Sequence, residues 1–176
     1  ERLMLIKARP IAGDAELGAE FIEMTQPFRY PRSLSEAALS EMGALKRLIE
    51  EQVVREGELH SNVKLGRGGI REVEFIVQTL QLLHAGRQPF LQNSQTLPTL
   101  PRLAQYGYLP EDDADALTEA YRFLRDVEHR LQMEHNLQTH TVPEDRASRI
   151  RLARLMGFTN AGTFNRTMTK HMTRVR

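Results

Sequence analysis

The chain has 176 residues, a net charge of +1, 40% apolar and 27% charged residues. That is an ordinary globular composition, enough for one domain with a sizeable core or one domain plus a piece of another. The absence of cysteine excludes disulfides, thiolate zinc sites and a cysteine nucleophile, and fits a reducing cytoplasm. The small net charge, the lack of tryptophan and only 6% aromatic residues argue against a nucleic-acid binder, and no run of 18 apolar residues offers a membrane span.

In chain order, Glu1-Arg2-Leu3-Met4 is neither a start methionine nor a signal peptide. It reads as the inside of an element, so the chain is expected to be a piece of a longer protein. Residues 2–9 read as the tail of a helix stopped by Pro10 and Gly13. Asp14 is placed to cap a second helix with Leu17, Phe21, Ile22 and Met24, ending at Pro27. Phe28 and Tyr30 between Pro27 and Pro31 suggest an extended connector. Ser33 or Ser35 caps a helix expected to run to about Arg55, with Gly57 as its stop.

After a glycine-rich turn, Ile70, Val73, Ile76, Val77, Leu80 and Leu83 predict a helix apolar on more than one face, ending at Gly86. A shorter helix follows from Ser94 or Thr96 to Tyr106, in which Pro101 should cause a kink or delay. Pro110 opens the clearest helix, with Glu111, Asp112, Asp113 and Asp115 near its positive end and a stripe reaching about His135. Residues 138–143 form a loop, and helices are expected over about 144–156 and from Thr159 or Asn160 onward. No alternating run reads as a strand. The expected class is all-α: an antiparallel up-and-down helical bundle with additional short helices.

The least ordinary stretch is Asn62 to Phe75. Gly66, Gly68 and Gly69 are flanked by Lys64, Arg67 and Arg71 and lead directly into a helix. Such a turn leaves N–H groups and a positive dipole end for an anion, and three cations strengthen that reading. The other reading is a turn that reverses the chain so that two helices pack closely. Glu72 and Glu74 are two apart and point away from each other, so they are not a carboxylate pair. One can cap the helix or pair with Arg71 or Lys64, and the other can reach a cleft. Arg122, Arg125 and His129 share a face of the long helix, read as a solvated face with Asp126 and Glu128 as partners, or as a cationic wall opposite the turn. The six histidines form no metal-ligand pattern, and no Walker A or nucleophile-elbow motif occurs.

Lys64-Leu65-Gly66-Arg67-Gly68-Gly69-Ile70-Arg71-Glu72-Val73-Glu74-Phe75-Ile76-Val77-Gln78 closely resembles a signature of the glutamine synthetase adenylyltransferases. These are bifunctional enzymes that adenylylate and deadenylylate glutamine synthetase. Further segments match in the same order. They include residues 6–10 with Gly13-Asp14, Pro27-Phe28-Arg29-Tyr30, residues 120–125, Glu128-His129-Arg130-Leu131-Gln132, Gln138 to Pro143, and Ala153 to Phe158. The resemblance implies that residues 1–30 are the end of a nucleotidyltransferase domain and its connector, and that 31–176 are the helical bundle that follows.

The family's Gly-Ser…Asp-x-Asp pattern is not present here, so no catalytic or metal-binding residue is assigned to this chain. In the intact enzyme, ATP and Mg2+ would serve transfer of AMP to a tyrosine of glutamine synthetase. The expected partners are glutamine synthetase, the PII signal protein and the enzyme's own nucleotidyltransferase domain. On this resemblance Lys64, Arg67, Gly68, Gly69 and Arg71 face nucleotide or phosphate, supported by Glu72, Glu74, Arg125 and His129. The alternative is an interaction module that docks glutamine synthetase or PII without touching nucleotide.

Overall fold

A computed structural model of the chain describes residues 2–35, 40, 43–44, 47, 61–135 and 138–175. Among these the regular elements are all helical: α1 (Arg2–Ile6), α2 (Ala15–Arg29), α3 (Ile70–His84), α4 (Thr96–Gln105), α5 (Glu111–His135), α6 (Arg146–Leu155) and α7 (Ala161–Arg174). A single 3-10 turn lies at Pro89–Leu91. The helix expected from Ser33 or Ser35 to about Arg55 lies mostly outside the described residues. Two compact units emerge, Glu1–Glu41 with Glu74–Ala114, and Met42–Val73 with Asp115–Arg176.

In the first unit, Asp14 caps α2 as the sequence suggests, accepting hydrogen bonds from the N–H groups of Glu16 and Leu17. The helix does not end at Pro27 but runs through it to Arg29. Proline removes one helical donor. The side chains of Thr25 and Arg29 both donate to the Ile22 carbonyl, and beyond the proline the helix closes with the Tyr30 N–H on the Gln26 carbonyl. α1 packs against α2. Leu17, Phe21, Met24 and Phe28 lie four, three and four apart, one stripe of α2. All four are exposed, Met24 by 71%.

At the end of α1, the Lys7 ammonium donates to Thr96 Oγ1 at 2.7 Å and lies 3.8 Å from Glu74. Buried Gln81 on α3 ties the loop beyond it by donating to the carbonyls of Leu91 and Asn93. The backbone also closes in on itself at Gly86, where a Cβ would meet the Pro31 carbonyl at 2.1 Å. Pro101 does not delay α4, which begins at Thr96. The helix closes with the Gly107 N–H on the Ala104 carbonyl and the Tyr108 N–H on the Leu103 carbonyl, the Schellman pattern.

The second unit is organised around α5. Its residues Leu124, Val127 and Leu131 are buried with Val63, Ile70, Val142, Leu152, Phe164, Met168 and Met172. Asp145 caps α6 and Asn160 caps α7, each accepting from an N–H three residues on. The same Schellman closure ends α6, with Gly157 at φ 80° and the Phe158 N–H on the Ala153 carbonyl. Phe123, Phe158 and Phe164 meet edge-on or tilted, and His171 stacks on Phe123 at 4.7 Å. The only pairing outside helices among the described residues is an isolated antiparallel bridge between Asn62 and Thr141.

Gly68 fixes how the turn before α3 meets α7. Its φ is +75°, and a Cβ there would lie 1.8 Å from the Met172 carbonyl oxygen. Gly107 has nearly the same φ, +74°, with nothing within 4 Å. Gly107→Ala should therefore cost about 1 kcal/mol from backbone strain alone, whereas Gly68→Ala should cost at least about 2 kcal/mol more because backbone must move. Urea unfolding of both variants checks this, and equal losses would show that the close approach contributes nothing.

Candidate functional site

The glycine turn is a closed hydrogen-bonded structure. Asn62 is buried, and its Oδ1 accepts from the N–H groups of Lys64 at 3.1 Å and Leu65 at 2.8 Å. The Gly66 N–H donates to the Asn62 carbonyl and the Gly69 N–H to the Gly66 carbonyl. The N–H groups of Ile70 and Arg71 donate back to the carbonyls of Val63 and Lys64 at 2.9 and 3.0 Å. The Gly68 N–H donates to Glu72 Oε2.

This changes one expectation. The turn does not leave a row of free N–H groups for an anion, because those of Gly66 and Gly68 to Glu72 all have acceptors. Glu72, in the first turn of α3, reaches back in the manner of a capping box. Its negative charge also occupies the positive end of the helix dipole. Gly69 is confined as well, since a Cβ would lie 2.8 Å from the carbonyls of Val63, Lys64 and Gly66. What remains for an anion is the side-chain cations.

Those cations divide into two kinds. Arg67 and Arg71 are exposed, and among the described residues neither makes an ion pair. Lys64 is drawn inward, its Nζ 3.4 Å from Glu128 Oε1. Arg125 donates to the other oxygen, Oε2, of the same carboxylate. His129 is exposed, and Glu74 belongs to the first unit beside Lys7. The solvated-face reading of α5 is therefore corrected at Glu128, which is 1% exposed.

Sequence reasoning missed His140, and it placed Glu128 with Arg125 but on a solvated face. His140 Nδ1 lies 3.0 Å from Glu128 Oε1, off the alignment of a hydrogen bond. Two backbone hydrogen bonds hold this loop against the turn, the Val63 N–H on the His140 carbonyl and the Val142 N–H on the Ser61 carbonyl, and together they make the Asn62–Thr141 bridge. A signal for Glu128 was present. It follows Leu124 by four residues and precedes Leu131 by three, so it shares their buried face. A charge on that face needs partners, and Lys64 and Arg125 supply them.

Burial pushes the His140 imidazole below its ordinary 6.5, and the Lys64 ammonium and Arg125 guanidinium add to the effect against the opposing pull of Glu128. His171 is lowered too, chiefly by burial, with Glu119 opposing and Lys170 and Arg174 assisting. Among the described residues no three histidine or acidic side chains gather as a metal site. No described helix is long and apolar enough to cross a membrane.

Comparison with known proteins supplies two findings. The family described as GlnD PII-uridylyltransferase matches residues 43–176. Over 97% of its length the chain is 44% identical to the bifunctional glutamine synthetase adenylyltransferase/adenylyl-removing enzyme of Rhizobium meliloti (strain 1021). Proteins of the same description from Xanthobacter autotrophicus and Pseudomonas syringae pv. tomato are 47% and 41% identical over 93% and 99% of the chain. The chain spans only 17–18% of the length of these relatives.

The lowered histidines set a sign for stability against pH. An unfolded histidine takes up its proton as pH falls through about 6.5; folded His140 and His171 resist it. Their contribution is complete above that pH and is lost as pH falls from 6.5 toward the lower folded values. The urea midpoint should thus fall between pH 7.5 and pH 5. In His140→Gln the fall over that range should be smaller; an unchanged slope would remove His140 from the explanation.

Proposed function

The chain belongs to the family described as GlnD PII-uridylyltransferase, and on that premise we propose that it is the helical domain of a glutamine synthetase adenylyltransferase/adenylyl-removing enzyme. Its role is to support AMP transfer to glutamine synthetase, and AMP removal from it, in the cytoplasm. The observation that carries this reading is the extent of the likeness, because relatives of that description align over nearly the whole chain, including residues before 43. Residues 1–30 then belong with a nucleotidyltransferase domain, and the exposed stripe of α2 supports this by offering an apolar face for it.

ATP is the nucleotide of this reaction, and phosphate takes its place in the reverse half. Phosphoryl-type transfer depends on fixed positive charge around the phosphates. Arg67 and Arg71 are exposed for that purpose at the start of α3, and Lys64 adds donors not directed at Glu128. Among the described residues no three histidine or acidic side chains gather as a metal site, and no step is assigned to magnesium. Glutamine synthetase and the PII signal protein are the protein partners in this reading.

A second reading, docking of one of those proteins without nucleotide contact, draws on the satisfied N–H groups of the glycine turn. Substitutions in the intact enzyme separate the two. Arg67→Ala and Arg71→Ala should raise the apparent KM for ATP or for phosphate about tenfold, with the melting temperature unchanged because both side chains are exposed. Weaker binding of glutamine synthetase or PII with both KM values and kcat intact would favour docking and sink the nucleotide-facing role.

A further inference from the structure

The buried carboxylate beside the glycine turn has no part in the role proposed so far. Glu128 sits on α5 with 1% of its side chain exposed, yet both oxygens face cations from different segments. Oε1 faces Lys64 of the turn at 3.4 Å and Oε2 accepts from Arg125 one helical turn away. The cations themselves are not buried, since their side chains are 35% and 38% exposed. Lys64 meets Oε1 as an ion pair without a hydrogen bond, so its ammonium keeps its N–H donors, and the guanidinium keeps those not given to Oε2. The remaining donors are therefore held at the surface by an anchor beneath it.

The surroundings make the anchor rigid. His140 packs against the same oxygen at 3.0 Å, and the loop carrying it is hydrogen-bonded to the turn that carries Lys64. The burial and nearby cations that keep His140 below its ordinary value disfavour a third positive charge there. Glu128 thus faces a lysine, an arginine and a histidine held toward its neutral form.

We propose that Glu128 is a positioning residue, which holds Lys64 and Arg125 together at the surface as a paired cation site for a phosphate oxyanion. This rests on the nucleotide-facing reading of the turn and adds two residues to it: Arg125 as a direct contact and Glu128 as the group that acts through both cations. A lysine and an arginine without this anchor would each sample many rotamers, and ordering them would oppose binding. With it, that ordering is complete before the anion arrives.

The test uses the full-length enzyme, with apparent KM for ATP and for inorganic phosphate, kcat and melting temperature read for each variant. Lys64→Ala should raise KM for at least one of the two anions about tenfold, and Glu128→Gln should do the same although it keeps the side-chain shape. The Lys64→Ala/Glu128→Gln double variant should be no worse than the more affected single variant, because both changes break one unit. Glu128→Asp, which keeps the charge but shortens the reach, should recover part of the loss, and it replaces Glu128→Gln where the latter melts below the assay temperature. Multiplying effects in the double variant, or a Glu128 variant with lowered melting temperature and unchanged KM, would overturn the positioning role. A normal KM for both anions in Lys64→Ala, Arg67→Ala and Arg71→Ala would overturn the nucleotide-facing reading itself, and the positioning role with it.

Discussion

A carboxylate that is 1% exposed cannot be left without counter-charge, and Glu128 imposes that constraint on the second unit. Leaving such a group unpaired costs several kcal/mol, on the order of 3 or more. Lys64 must come inward from the turn, Arg125 must turn back along α5, and His140 must pack close. Three segments distant in sequence are tied at one point. The bridge at Asn62–Thr141 and the hydrogen bonds around it are the backbone expression of the same closure.

Glycines and cations in the turn answer to different requirements. Gly68 meets the backbone of α7 and Gly69 meets three carbonyls of its own turn, so neither tolerates a side chain. Those are packing demands and hold with or without a ligand. Unlike Lys64, which pairs with Glu128, the two arginines are not needed for packing in the same sense. Arg67 and Arg71 are exposed and make no ion pair among the described residues, so the turn gives them position without gaining stability from them. A surface charge held on a rigid turn and left without a partner there suits an external anion better than the fold.

Much of the helical framework was legible because its signals are local. Asp14 read as a cap from its residue type and the periodic segment that follows. The acidic start of α5 and its apolar stripe fixed both ends of that helix. Pro27 marks one lost donor, but one lost bond does not end a helix whose Tyr30 N–H still closes on the Gln26 carbonyl. The site was less legible for a different reason. Whether an N–H is free depends on how the turn folds back on its own carbonyls, such as those of Val63 and Lys64, and the return of Glu72 to Gly68 is a three-dimensional fact. Glu128 lay within reach, since its spacing from Leu124 and Leu131 places it on the buried face. An acidic residue between arginines and a histidine reads as solvated, which conceals that burial.

The satisfied amides also decide what kind of anion recognition this turn can offer. A phosphate cradle of backbone N–H groups derives specificity from fixed geometry, because amides cannot rotate away. Here the amides serve the turn, Glu72 neutralises the helix end, and recognition falls to side chains. Side-chain cations are strong but mobile, and their contribution depends on what restrains them. Among the described residues Arg67 and Arg71 make no ion pair, whereas Lys64 and Arg125 share a buried anchor. The two pairs should therefore differ in kind. In the proposed site the arginines at the rim would act mainly by attraction and respond to salt, and the anchored pair would act by geometry. A turn that closes its own amides and anchors two cations from below has exchanged one form of preorganisation for another.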